Sequence, residues 1–208
     1  DGFPLPAIIK PIGEGSSKGI REDSVVRTKD EFVARIKERL SEYNQGVIAE
    51  RFIEGREFTV AVMGNDEPIV LPIIEILFDD LPPESNRIDS YEAKWVWDNP
   101  ANPLDCIRCP AEIDKKLEEK IGKTAIDAYR ALDCRDWSRL DMRLDEKGVP
   151  NVLEVNALPG MIADPKANSR FPAAARAAGI GYEETLLKVL DYAMQRTKFS
   201  DNGKARKK

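Results

Sequence analysis

Arg139, Asp141, Glu154 and Asn156 stand at alternating positions of two strand-like segments that flank the turn Glu146-Lys147-Gly148. Alternation puts Leu140, Met142 and Leu144 on one face of the first segment and Arg139, Asp141, Arg143 and Asp145 on the other. On the second, Leu153 and Val155 point one way, and Val152, Glu154 and Asn156 the other. One sheet face can therefore present two carboxylates, an amide oxygen and a guanidinium. Hard oxygen donors suit Mg2+ in phosphate chemistry, and a neighbouring Arg stabilises charge on a transferring phosphoryl group. A solvated outer face has the same alternation, so spacing alone leaves both readings open. Asn156 leans towards the metal, because strand interiors disfavour Asn.

A second candidate is the small-residue loop Gly13-Glu14-Gly15-Ser16-Ser17-Lys18-Gly19, which follows the β-branched run Ala7-Ile8-Ile9. It is neither a Walker A loop nor G-x-G-x-x-G, since Lys18 sits where the third Gly belongs. Its backbone N–H groups and hydroxyls can cradle a phosphate, or the loop can be a plain turn. Lys10 closes the preceding strand, and Lys94 lies in Tyr91-Glu92-Ala93-Lys94-Trp95. Each reads as a surface lysine beside apolar residues, or as a phosphate ligand if a nucleotide site exists.

Composition excludes other chemistries. With no histidine, a Ser-His-Asp hydrolase and a His-based metal site are ruled out. The three cysteines, Cys106, Cys109 and Cys134, cannot close a zinc site and are expected as free thiols. A net charge of −5 argues against nucleic-acid binding. No apolar run reaches the ~18–20 residues of a spanning helix. Asp1-Gly2-Phe3-Pro4 has neither the basic nor the apolar region of a signal peptide, so a cytoplasmic location is expected.

The elements that must position these residues follow from periodicity. Strands are expected at 7–9, 47–49, 58–62 and 69–76, the last after an Asn65-Asp66 turn, and a hairpin at 138–144 and 149–155. Asp30 is expected to cap a helix with Phe32, Val33, Ile36 and Leu40 on one face. Ile113, Leu117, Ile121, Ala128 and Leu132 mark a long amphipathic helix, and Leu186, Val189, Leu190 and Ala193 a final one. Residues 79–110 read as loop-rich. Hairpin connections predominate, which predicts α+β with mostly antiparallel sheets. Two lobes are expected, 1–53 and 54–199, followed by a disordered basic tail at 200–208.

Taken together, the motifs resemble the D-alanine–D-alanine ligase family of the ATP-grasp superfamily. The matching stretches are Ile9-Lys10-Pro11 with 14–19, Ile48-Ala49-Glu50-Arg51-Phe52-Ile53, and Gly55-Arg56-Glu57-Phe58-Thr59-Val60. After these come Tyr91-Glu92-Ala93-Lys94, Ser138-Arg139-Leu140-Asp141, and Leu153-Glu154-Val155-Asn156 with Leu158-Pro159-Gly160-Met161. They occur in family order up to about residue 190. The resemblance implies ATP held between two α+β lobes, and a carboxylate–amine ligase that joins two amino acids through an acyl phosphate in peptidoglycan precursor synthesis. It implies that Lys10, Ser17 and Lys94 contact ATP phosphates, that Glu50, Arg51 and Ile53 read adenine, and that Glu57 holds the ribose. Asp141, Glu154 and Asn156 would bind two Mg2+ ions, and Arg139 would stabilise the tetrahedral intermediate. Ser16 and Lys94 would lie at the reaction centre, with Ser169 and Gly160 at the second substrate.

The chain departs from the family at Trp95, where a tyrosine is usual, at Ile162 for threonine, and at Arg170 for leucine. The stretch 163–168 is longer, and the family's N-terminal domain, an expected partner, lies outside the sequence. The other expected partners are amino-acid substrates, with a homodimer allowed and neither nucleic acid nor membrane. The alternatives are a related ATP-grasp dipeptide ligase with another acceptor, and a nucleotide-binding fragment without turnover.

Overall fold

The computed structural model describes residues 2–97, 104 and 106–197, apart from the side chains of Lys94 and Trp95. The basic tail expected at 200–208 lies outside them. Two compact units are present: one comprises residues 1–54 and 77–106, the other 55–76 and 107–208.

In the first unit, Thr28 and Glu31 form a reciprocal capping box that starts helix α1 (Lys29–Tyr43), the Thr28 hydroxyl accepting from the Glu31 N–H at 3.2 Å. The cap is thus two residues earlier than Asp30. The chain leaves the helix at Asn44 in a left-handed conformation (φ 48°). Strands β1 (Ala7–Pro11), β2 (Val25–Val26) and β3 (Val47–Arg51) form an antiparallel sheet in the order β2-β1-β3. Ala7, Ile9 and Val26 are buried against Phe32, Ile36, Val47 and Ala49. Val33 and Leu40, expected on the buried stripe, are exposed. The fully buried side chain of α1 is Arg39, which pairs with Asp23 at 2.5 Å and Glu42 at 3.1 Å. A long apolar stem and a guanidinium paired through both terminal nitrogens let it take a place that periodicity alone gives to an aliphatic residue.

Residues 77–106 were expected with the second lobe. Their contacts run to the first unit: the Ser17 hydroxyl donates to the Asp89 carbonyl at 2.6 Å, the Tyr91 N–H to the Ile20 carbonyl at 2.8 Å, and the Asn86 N–H to the Glu22 carboxylate at 2.6 Å. These bonds satisfy backbone groups that a proline-rich stretch cannot satisfy within itself.

The second unit is built on β4 (Glu57–Met63), every residue of which is buried. It pairs with β5 (Ile69–Val70), β6 (Ile74–Ile76) and β8 (Trp137–Leu144). With β7 (Ile107–Arg108) and β9 (Pro150–Asn156), the order is β7-β6-β4-β8-β9 and every pairing is antiparallel. The single strand expected at 69–76 is two short ones, interrupted at Leu71-Pro72-Ile73, because Pro72 has no N–H for a ladder. Phe58, Val60, Val62, Leu140 and Met142 form one sheet face, packed on Ile121, Ala125 and Tyr129 of α2 (Lys115–Ala131).

Helices α3 (Arg170–Ala177) and α4 (Tyr182–Thr197) complete the unit. α3 packs on β4, and Phe171 meets Trp137 edge-on at 5.1 Å. Leu186 and Leu190 of α4, expected on a buried face, are exposed. Cys106, Cys109 and Cys134 are free thiols, and burial pushes the Cys109 thiol up. No helix among the described residues is long and apolar enough to cross a membrane.

Candidate functional site

The face of the second sheet that turns away from α2 is polar at its centre. Register pairs Glu57 with Arg143, Thr59 with Asp141 and Ala61 with Arg139 across β4 and β8. It pairs Asp141 with Glu154 and Arg139 with Asn156 across β8 and β9. Directly opposed residues share a face, so Arg139, Asp141, Glu154 and Asn156 converge. A β-bulge lies opposite Asp141 and Met142: the register steps from Glu154 to Val152, leaving Leu153 as the extra residue. Such bulges re-aim side chains beside active sites.

Asp141 is 6% exposed, and both its oxygens have partners. Oδ1 accepts from the Thr59 hydroxyl at 2.6 Å, and Oδ2 accepts from Arg139 Nη2 at 2.8 Å and Asn156 Nδ2 at 3.3 Å. Burial pushes its carboxyl up, but the cations of Arg139 and Arg170, with the Thr59 and Arg139 hydrogen bonds, outweigh it and hold the group below the usual carboxylate range. Asn156 Nδ2 also donates to Glu154 Oε1 at 2.9 Å, and Arg139 Nη2 lies 3.6 Å from that oxygen. The Glu154 side chain is 57% exposed. Arg139 Nε is buried without a hydrogen-bond partner among the described residues. The four residues thus form a cluster on the sheet face with one buried and one accessible carboxylate, edged by a guanidinium. Among the described residues, no three His, Cys, Asp or Glu side chains cluster as a metal site, so oxygen chemistry here depends on the amide of Asn156.

Thr59 was not singled out in the sequence. Its signal was there, since it alternates with Phe58 and Val60, but its partner depends on a register between β4 and β8 that no local pattern specifies. Glu57, expected at the ribose, is 6% exposed, and its Oε2 accepts from Arg143 Nε at 2.8 Å.

The second-substrate candidates are joined directly. Ser169 precedes α3, and its hydroxyl does not cap the helix. It donates to the Gly160 carbonyl and accepts from the Ile162 N–H, each at 3.1 Å. Arg170 opens α3, half-buried, with its charge acting on Asp141. Ile162 is exposed, and the longer 163–168 stretch forms a short helical turn at Pro165–Ala167 capped by Asp164.

In the first unit, Ile8, Lys10, Ile48 and Glu50 share the sheet face opposite α1. Lys10 Nζ pairs with Glu50 Oε2 at 2.5 Å, a diagonal cross-strand contact. Arg51 ends β3 exposed, and Ile53 is half-buried just beyond it. Ser16 and Ser17 both adopt left-handed backbone, with φ 54° and 61°. The Ser17 hydroxyl, expected at a phosphate, is bonded to Asp89, whereas Ser16 is exposed. Lys94 lies in the helical turn Ala93–Trp97, whose Ala93 N–H donates to the Ser90 hydroxyl at 3.1 Å. The Lys94 and Trp95 side chains lie outside what is described.

Residues 1–191 match the family described as D-ala D-ala ligase C-terminus. A D-alanine–D-alanine ligase of Pelotomaculum thermopropionicum is 36% identical over 191 residues, covering 92% of this chain and 54% of the relative. A solved D-alanine–D-alanine ligase of Bacillus anthracis, complexed with ATP, has a TM-score of 0.69 at 26% identity, covering 94% of this chain and 54% of its own. A D-Ala:D-Ser ligase of Enterococcus faecalis has a TM-score of 0.68 at 30% identity, covering 90% and 49%. The chain spans about half the length of the curated relatives it matches. Arg139, Asp141, Glu154 and Asn156, gathered on one sheet face of an antiparallel α+β fold, are therefore met in a chain that belongs to the D-alanine–D-alanine ligase C-terminal family, with the ATP-grasp fold.

Proposed function

We propose that this chain carries the phosphate-transfer centre of an ATP-dependent ligase that joins two amino acids, of D-alanine–D-alanine ligase type and acting in peptidoglycan precursor synthesis. The observation that carries the reading is the convergence of Arg139, Asp141, Glu154 and Asn156 on one sheet face. The donor set fits Mg2+: two carboxylates and an amide carry hard oxygens, and an oxygen of each carboxylate converges on the one Asn156 amide group. Mg2+ bound there would neutralise charge on the phosphates and polarise the transferring group. Asp141, held by Thr59, would be the fixed ligand, and exposed Glu154 the adjustable one. Lys10 and Glu50 fit the nucleotide, as a cation for phosphate and an acceptor for an amino group.

In the reaction, a carboxylate oxygen of the first amino acid takes the γ-phosphoryl group as the bond to ADP breaks. The amine nitrogen of the second attacks the acyl carbon, phosphate leaves and the nitrogen loses a proton. Arg139 would donate to the oxygen that gains charge as the tetrahedral intermediate forms. Phosphate release from ATP by the full-length protein, with and without D-alanine, tests this. Amino-acid-dependent release is expected, and ATP hydrolysis indifferent to every amino acid would overturn the reading.

A second reading keeps the chemistry and changes the acceptor. Arg170 supports it, because a cation beside Ser169 suits an acceptor larger or more acidic than D-alanine.

A further inference from the structure

The segment Gly160-Met161-Ile162 follows β9 without regular structure, yet its backbone is held by two side chains, one just before α3 and one from α4. Ser169 takes the Gly160 carbonyl and the Ile162 N–H, as described. From the start of α4, the Tyr182 hydroxyl donates to the Met161 carbonyl at 2.9 Å. A peptide unit is planar, so fixing its carbonyl also fixes the direction of the N–H that follows. The Met161–Ile162 unit is therefore clamped at both ends, by Tyr182 and Ser169. The Gly160–Met161 unit is clamped at its carbonyl, which aims the Met161 N–H. Neither the Gly160 nor the Met161 N–H makes a hydrogen bond to another group among the described residues. A side chain built at Gly160 would meet nothing within 4 Å, so open space adjoins the strip at that residue.

We propose that Tyr182 is a positioning residue. By clamping the adjoining Met161–Ile162 peptide it holds the Met161 N–H, already aimed by the bonded Gly160 carbonyl, as a pre-set donor for an oxygen of the amino-acid substrate. This rests on the ligase reading above. Tyr182 is distant in sequence from the loop it holds and touches no reacting group. Its effect reaches the substrate through backbone direction, where preorganised N–H groups act without reorganising when the substrate arrives.

The experiment compares the full-length wild type with Tyr182→Phe, which keeps the ring and removes only the donor. Two readouts are taken: amide hydrogen exchange of the 160–162 segment, and KM and kcat for each amino acid and for ATP. The expected result is faster exchange at the bonded Ile162 N–H, with KM for one amino acid raised about three- to tenfold, the loss of one neutral hydrogen bond. KM for ATP should stay within about twofold by the same reasoning. Unchanged exchange, unchanged amino-acid KM, or an equal loss in every parameter would overturn the positioning role while leaving the ligase reading intact. A wild type that releases no phosphate with any amino-acid pair would overturn both.

Discussion

Asp141 and Glu154 show how two carboxylates on one sheet face acquire different characters. Asp141 is buried and has partners on both oxygens, one of them the Thr59 hydroxyl at 2.6 Å. Glu154 is mostly exposed, near the amide of Asn156 and the guanidinium of Arg139. Thr59→Val keeps the shape and removes the donor. It should cost about 1–3 kcal/mol of stability, because the lost bond is to a charged group. It should also weaken Mn2+ binding, measured by electron paramagnetic resonance, by about tenfold or more, as losing a partner that orients a ligand does. Unaltered Mn2+ affinity would remove Thr59 from the site. Glu154→Gln should behave differently, abolishing amino-acid-dependent phosphate release while leaving the melting temperature nearly unchanged, because an exposed carboxylate contributes little to folding. A variant with full turnover would take Glu154 out of the mechanism.

Among the elements, β4 and β8 must approach closely to bring Thr59 to Asp141, and Gly55 permits it. A Cβ at Gly55 would stand 1.9 Å from the Leu144 carbonyl oxygen, a backbone atom that cannot move aside. Gly55→Ala should therefore cost about 1–3 kcal/mol and lower Tm by roughly 3–10 °C, read by calorimetry. Helix α4 is tied to the same sheet by a paired contact: Arg196 Nε and Nη2 donate to the two oxygens of Asp136 at 3.0 and 2.8 Å, and Asn65 Nδ2 to Oδ1 at 3.0 Å. The Arg196 hydrogen bond, with that of Asn65, holds the Asp136 carboxyl below its ordinary value near 3.8. A carboxyl with a lowered folded pKa stabilises the fold above its unfolded value, and the contribution is lost as pH falls through the folded pKa. Arg196→Ala should therefore lower Tm at neutral pH, and the gap to wild type should close as pH falls below 3.8. A gap that is constant with pH would show that the pair does not stabilise the fold through charge.

For the molecule as a whole, the proposed ligase reading makes a prediction about the acceptor. Arg170, Ile162 and the 163–168 turn gather around Ser169, and the charge of Arg170 also acts on Asp141. With the full-length protein, phosphate release should therefore be faster for D-alanine paired with a larger or acidic second amino acid than for D-alanine alone. Arg170→Leu should shift the preference back towards D-alanine. Efficient D-alanyl-D-alanine formation, improved by no other acceptor and indifferent to Arg170, would leave the departures without a role in specificity.

The hairpin was legible in the sequence because period-two alternation and a Gly148 turn are local signals, and so were the antiparallel character and the group Arg139, Asp141, Glu154 and Asn156. The ordered motifs from Lys10 to Met161 were equally legible, and they led to the family. What the sequence could not show depends on groups far apart along the chain. Thr59 meets Asp141 only through the pairing of β4 with β8, and Tyr182 meets Met161 only once α4 has packed. Arg39 is buried and the expected Leu40 is exposed, because Asp23 and Glu42 are there to pair with the guanidinium. Residues 77–106 join the first unit although they follow β6, since their backbone partners are Ser17, Ile20 and Glu22. Local periodicity and residue type determine which elements form and which side chains share a face. Hydrogen bonds and charge pairs between elements distant in sequence determine which of those faces becomes a site, and only tertiary packing sets them.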